Sequence, residues 1–305
     1  MCIQIEEKTL RCKNDSKKIE NLALEGGGVW GIAYAGAIEE LEKAGVLGGI
    51  KRVAGTSAGS IVALLLALGY GSNDISRIVA QLDFTNFMDN HSVKQLFSNY
   101  GLYQGEFALK LFRSWILEKL GSENATFKEL MESGGLELRV FSSNLNTKQL
   151  HEFSYSNTPN VPLAKAVRAS MSVPLFFTAV EIDDHLFVDG GATFDYPLLA
   201  FGNVGISNTL GLAFAGSSSA AAGDQDETSF GYHQPGEYIH RMLTVLERIQ
   251  APLLALYGGL RDQTILIDTG DISSLQFKLS KDDQALLIEN GRQAVRDYFE
   301  KDPES

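Results

Sequence analysis

The sequence predicts an α/β fold, a three-layer α/β/α sandwich built on a mostly parallel central sheet. Two observations carry this. Strand-like apolar runs alternate with helical stretches along the 305 residues, the pattern of a parallel sheet covered on both faces. Near the start, two strand–glycine–helix units follow one another directly. Composition agrees, since 44% hydrophobic and 21% charged residues describe an ordinary globular chain. No apolar run reaches the ~18 residues that would suggest a membrane-spanning helix.

Residues 1–18 are polar and charged and lack the apolar core of a signal peptide. Both cysteines, Cys2 and Cys12, fall there, where a disulfide would staple only a tail, so a reducing, cytoplasmic setting is expected. Residues 19–305 are expected to form one domain. Asn21–Leu24 reads as the first strand, Gly26 to Gly31 as a glycine loop, and Ile32–Lys43 as a helix with Ile32, Ala33, Ala37, Ile38 and Leu41 on one face. Arg52–Ala54 is the second strand, and the apolar stretch Ser60–Leu68 suits a buried helix. Helices follow at Asn73–Leu82, Glu106–Leu120 and Pro162–Arg168, and strands at Leu136–Phe141, Gln149–Phe153, Leu186–Val188, Thr209–Phe214 and Thr264–Ile267. The Ser/Ala/Gly-rich run Ala215–Gly236 reads as a mobile loop. Glu237–Leu260 carries an apolar stripe at helical spacing, kinked at Pro252. Such a stripe ordinarily packs on the sheet or on a second subunit, and transient contact with a lipid surface is its alternative use. Asp283–Phe299 closes the chain as an amphipathic helix with Leu286, Leu287, Ala294, Val295 and Tyr298 inward.

Gly55-Thr56-Ser57-Ala58-Gly59 places a serine at a strand-to-helix turn. Such a turn is strained and tightly packed, so its neighbours must be small, and it lifts the hydroxyl to the top of the sheet near a helix N-terminus. Upstream, Gly26, Gly27 and Gly28 expose backbone N–H groups that can hold an anion, such as the oxyanion of an acyl-transfer intermediate. The spacing Gly26-x-Gly28-x-x-Gly31 also matches a dinucleotide fingerprint. That reading needs an acid at the end of the second strand, where Gly55-Thr56-Ser57 stands instead. A base for Ser57 is not found among His91, His151, His185, His233 and His240, none of which has a convincing base context. Asp189 is the stronger candidate, at the end of an apolar strand and followed by Gly190 and Gly191, although an Asp-Gly turn without chemistry accounts for most such dipeptides.

With these residues the chain resembles the patatin-like phospholipase family. That family combines, in order, a glycine-rich oxyanion loop, a Gly-x-Ser-x-Gly elbow and an Asp-Gly-Gly or Asp-Gly-Ala motif. Gly26 to Gly31, Gly55 to Gly59 and Asp189 to Gly191 match all three, and Leu163 to Phe177 resembles the block preceding the aspartate. The resemblance covers roughly Leu22 to Phe201. One departure is Trp30, where the family usually carries Arg or Lys. The resemblance implies a Ser57–Asp189 dyad acting on phospholipid or lysophospholipid esters through an acyl-enzyme, with no metal or cofactor. Apolar walls from Phe176, Phe177, Phe187 and Val188 would make Asp189 a better base than a solvated carboxylate. An acyltransferase using the same acyl-enzyme stays open, as does a Ser-His-Asp esterase with His233 or His240 as base, or a binding module with Ser57 idle. A net charge of −12 argues against nucleic acid as partner and against electrostatic docking on anionic membranes. Homo-oligomerisation stays open.

Overall fold

The alternation of side chains between two buried faces along the strands decides the architecture. In the computed structural model, residues 18–90, 98, 100–202, 205–215, 245 and 261–300 are described. Leu22 and Leu24 on β1 (Asn21–Leu24) point into the main hydrophobic cluster, whereas Ala23 between them faces the opposite side. The same alternation separates Leu210, Leu212 and Phe214 from Ala213 on β9 (Thr209–Phe214), and Val53 from Ala54 on β2 (Arg52–Thr56). Both faces of the sheet are therefore buried, as a parallel sheet requires.

The sheet runs β10-β9-β1-β2-β4-β8-β7, where β4 is Glu137–Asn144, β7 Val180–Ile182, β8 His185–Asp189 and β10 Thr264–Ile267. Pairing is parallel from β10 through β4 and antiparallel at β8, β7 and β5 (Gln149–Ser154), the last adding to the free edge of β4. A mixed α/β fold with a central sheet flanked by helices is thus present, as the sequence predicts. A separate two-stranded sheet of β3 (Gly101–Tyr103) and β6 (Leu175–Phe177) escapes sequence reading because each strand has three residues.

On the larger face, α1 (Tyr34–Lys43) packs against α3 (Ser72–Ala80) and α7 (Lys281–Glu300), and α2 (Ala58–Ala67) packs on β2 and β4. Every residue of α2 is buried, which fits its uniformly apolar sequence. Farther along this face, α4 (Glu106–Leu120) packs on α6 (Leu163–Ser170), and the short α5 (Phe127–Glu132) starts with a capping box formed by Thr126 and Glu129. On the other face, the short 3-10 helix Pro197–Phe201 brings Leu198 and Phe201 against the sheet. The helix after the glycine loop starts two residues later than the sequence predicts. The chain leaves the glycine loop as a 3-10 turn, Gly28–Ala33, and becomes α-helical only at Tyr34. Residues 1–17 of the polar extension, the expected loop after Ala215, and the striped segment Glu237–Leu260 apart from position 245 lie outside the described residues.

Candidate active site

Strand pairing brings the two halves of the site together. One edge of β4 is taken by β5 from Arg139 to Asn144, so β2 and β8 share the other. The parallel strand β2 ends with Thr56 beside Phe141, and the antiparallel strand β8 ends with Asp189 beside Ser142. Their carboxyl ends meet head to head. Ser57, the residue after β2, donates its hydroxyl to Asp189 Oδ2 at 2.8 Å. Both side chains are buried.

The turn at Ser57 has a sterically demanding backbone. Its φ of 49° and ψ of −122° are rare for a residue with a side chain. A Cβ on Gly55 would overlap the backbone of Gly59, and one on Gly59 would overlap the carbonyls of Leu24 and Glu25. This is the physical reason for glycine on both sides of the serine. The strained turn is held from two directions. Ser57 N–H donates to Ser170 Oγ at 2.9 Å, whose hydroxyl donates to the Phe141 carbonyl at 2.6 Å. The Ser57 carbonyl accepts from Ser60 N–H and Ser60 Oγ at 2.9 and 2.6 Å.

Asp189 is fixed on every side. Its Oδ1 accepts from Gly191 N–H at 2.7 Å, its N–H donates to the Ser172 carbonyl, and its carbonyl accepts from Ser143 Oγ. Gly190 turns tightly against Phe141 and leaves no room for a Cβ. Ser172 is itself pinned by the buried Arg168 guanidinium, which also donates to the carbonyls of Gln104 and Gly105. Burial lowers the Arg168 pKa to about 10.

A profile described as patatin-like phospholipase matches residues 22–201, more than half of the chain. The chain belongs to the patatin-like phospholipase family. An uncharacterised protein, R571, of Acanthamoeba polyphaga mimivirus is 30% identical over 293 residues, spanning 95% of this chain and 96% of that one. A probable lipid hydrolase, 463L, of invertebrate iridescent virus 6 is 27% identical over 187 residues, which cover 60% of this chain and 63% of that one. Among solved structures, VipD from Legionella pneumophila superposes with a TM-score of 0.63 at 18% identity, over 92% of this chain and 67% of its own. That likeness shows a shared fold.

In this patatin-like chain the glycine loop lies beside Ser57. Gly27 and Gly28 have φ values of 149° and 55°, and no acceptor for either amide is found among the described residues. The Gly26 N–H differs from expectation, because it donates to the Asp195 carbonyl at 3.0 Å. Gly31 packs on Ala58, the residue after the serine, where a Cβ would come within 2.9 Å of the alanine's own.

Gly27, Gly28, Ser57, Asp189 and Gly191 line an open cleft. The rest is largely apolar, with Ile61, Phe84, Phe87, Met171, Phe177 and Phe277 in the walls. Of the expected apolar neighbours, Phe177 lines the cleft and Phe176 stacks behind it on Phe277, with ring centroids 4.6 Å apart. Phe187 and Val188 are buried within β8.

Sequence reading missed Asp195, Ser170, Ser172 and the wall residues Phe84, Phe87 and Phe277. Asp195 is buried and also lines the cleft. A Cβ on Gly191 would lie 2.9 Å from Asp195 Oδ1 and 3.1 Å from Asp189 Oδ1, so two carboxylates flank that glycine. Of the histidines, His151 packs on the rings of Phe153 and Phe187, and burial lowers its pKa. His185 Nδ1 lies 2.8 Å from Asn144 Nδ2. His91, His233 and His240 lie outside the described residues. Among the described residues, no group of three or more His, Cys, Asp or Glu side chains could hold a metal, and no helix is long and apolar enough to cross a membrane.

Proposed function

We propose that this chain is a lipid acyl hydrolase that cleaves carboxylic esters of phospholipids or lysophospholipids through Ser57 and Asp189. The observation that carries the reading is the 2.8 Å hydrogen bond from Ser57 Oγ to Asp189 Oδ2 at the head of an apolar cleft. Ser57 Oγ attacks the ester carbonyl carbon as its proton passes to Asp189 Oδ2. The oxyanion forms beside the amides of Gly27 and Gly28, two donors with no competing acceptor among the described residues. Collapse breaks the bond to the alcohol, which leaves with the proton held by Asp189. Water then attacks the acyl-serine, gives a proton to Asp189, and the fatty acid departs as Ser57 Oγ recovers a proton. The Gly191 N–H on Oδ1 keeps the carboxylate oriented so that Oδ2 faces the serine throughout. The cleft walls match an acyl chain and hold it away from water.

The test is mass spectrometry of products from mixed phospholipid vesicles. The native chain should release fatty acid, and Ser57→Ala and Asp189→Asn should each lose at least about 10³-fold in rate. Identical product profiles for the native chain and Ser57→Ala would remove the assignment. Acyl transfer to added glycerol in place of water would make the chain a transferase on the same acyl-enzyme.

A further inference from the structure

Trp30 ties the glycine loop to the apolar wall of the cleft. Its indole N–H donates to the Ile272 carbonyl at 2.7 Å, and both residues are buried. One residue earlier, Val29 N–H donates to the Ser274 carbonyl at 2.9 Å. That carbonyl occupies the space a Cβ on Gly28 would need, so the segment 272–277, which follows β10, lies directly on the loop. The indole is braced from behind by Phe214, with ring centroids 5.7 Å apart. The same segment then turns into the cleft, where Leu275 and Phe277 form part of its wall. Phe277 stacks on Phe176 at 4.6 Å with an interplanar angle of 11°. One short stretch of backbone thus binds the Val29 amide beside the loop and supplies part of the cleft's apolar wall.

We infer that Trp30 is a positioning residue that sets acyl-chain specificity. It makes contact between a long acyl chain and Leu275 or Phe277 felt at the amides of Gly27 and Gly28. An acyl chain long enough to reach this wall seats residues 272–277, and the ties at Ile272 and Ser274 then hold the loop in its donor geometry. Binding energy from the remote end of the substrate is in this way realised at the reacting centre, so chain length is read in kcat as well as KM. A short acyl group that never meets the wall gains nothing from the tie. The preferred substrate class is therefore a long-chain ester. The inference rests on the proposed roles of Ser57 and the loop amides.

The test compares kcat and KM for p-nitrophenyl butyrate and p-nitrophenyl laurate in the native chain, Trp30→Phe, Phe277→Ala and the double variant. Trp30→Phe keeps a ring against Phe214 but leaves the buried Ile272 carbonyl without its donor. In that variant the laurate-to-butyrate ratio of kcat should fall about tenfold. The corresponding ratio of KM should stay within about twofold, because the wall itself is intact. Phe277→Ala should lower the kcat ratio on its own and add nothing further once Trp30 is Phe, since both act through one tie. An unchanged kcat ratio in Trp30→Phe, an equal loss for both esters, or additive effects in the double variant would overturn the inference. Should Trp30→Phe fail to fold by circular dichroism, an unchanged kcat ratio in Phe277→Ala overturns it instead. Labelling of Ser57 by a fluorophosphonate separates the two levels. A native chain that takes no label refutes the hydrolase reading, whereas a labelled chain with an unaltered ratio refutes only the role of Trp30.

Discussion

At Ser57 the backbone geometry and the proposed chemistry make opposite demands. A φ of 49° suits glycine, yet the position holds a serine. Strain of this kind costs about 1–3 kcal/mol and persists where surrounding bonds over-determine the turn, here those to Ser170 and Ser60. Ser57→Gly and Ser57→Ala both delete the hydroxyl, but only glycine relaxes the backbone. The glycine variant should therefore unfold about 1 kcal/mol later in urea than the alanine variant, with neither reacting with a fluorophosphonate. Equal urea midpoints would show that the turn stores no strain. The short-range grammar of this site was legible in the sequence. Gly55 and Gly59 are needed because backbone occupies the space a Cβ on either would take, and small residues on both sides of a serine are the sequence signature of that turn. Asp195 was not legible, because nothing in Gly190 to Tyr196 signals that the chain curls back to place a second carboxylate beside Gly191.

Two helices far apart in sequence, α1 and α7, pack closely on each other beside the glycine loop. A Cβ on Gly36 would overlap the Ile288 carbonyl, and one on Gly291 would overlap the Ala33 carbonyl. Gly291→Ala should push α7 off α1 and destabilise the fold by about 1–3 kcal/mol, read as a lower urea midpoint with far-UV dichroism otherwise native. The amphipathic pattern predicted α7 with Leu286, Leu287, Ala294, Val295 and Tyr298 inward; Leu287 and Val295 are buried there, Ala294 and Tyr298 are partly buried against the core, and Leu286 is instead exposed. It could not show that Gly291 sits at the contact, because a lone glycine within a helix has no periodic signature. The pair is also laced by charge. The Arg296 guanidinium donates to Glu40, and this bond holds the Glu40 carboxyl below its ordinary value of 4.5 against the opposing effect of burial. A carboxyl with a depressed folded-state pKa stabilises the fold above its unfolded pKa, and that contribution is lost as pH falls through the folded value. The native chain should therefore lose stability more steeply than Arg296→Gln as pH drops below about 4.5, measured as urea midpoint against pH. Parallel curves for the two proteins would dismiss the pair as a contributor.

A net charge of −12 sets how the whole molecule would meet the proposed lipid substrate. Long-range repulsion from an anionic bilayer should slow its encounter with lipid, and salt should screen the effect. Initial hydrolysis rates on zwitterionic vesicles should exceed those on vesicles containing anionic lipid at low salt, and the two should converge at high salt. Faster turnover on anionic vesicles would point to a basic docking patch instead. The sequence by itself determined the strand–helix alternation, the serine elbow, the glycine loop and the acidic turn, because each is a local demand of sterics or periodicity. The tertiary structure alone decided that β8 runs antiparallel into the same edge of β4 that β2 occupies, so that a serine and an aspartate 132 positions apart come within 2.8 Å. It also decided that the Gly26 amide is given to Asp195, and that residues after β10 wall the cleft. Strand pairing and loop docking are settled by long-range backbone hydrogen bonds, which any sequence of suitable burial can make, so no residue type announces them.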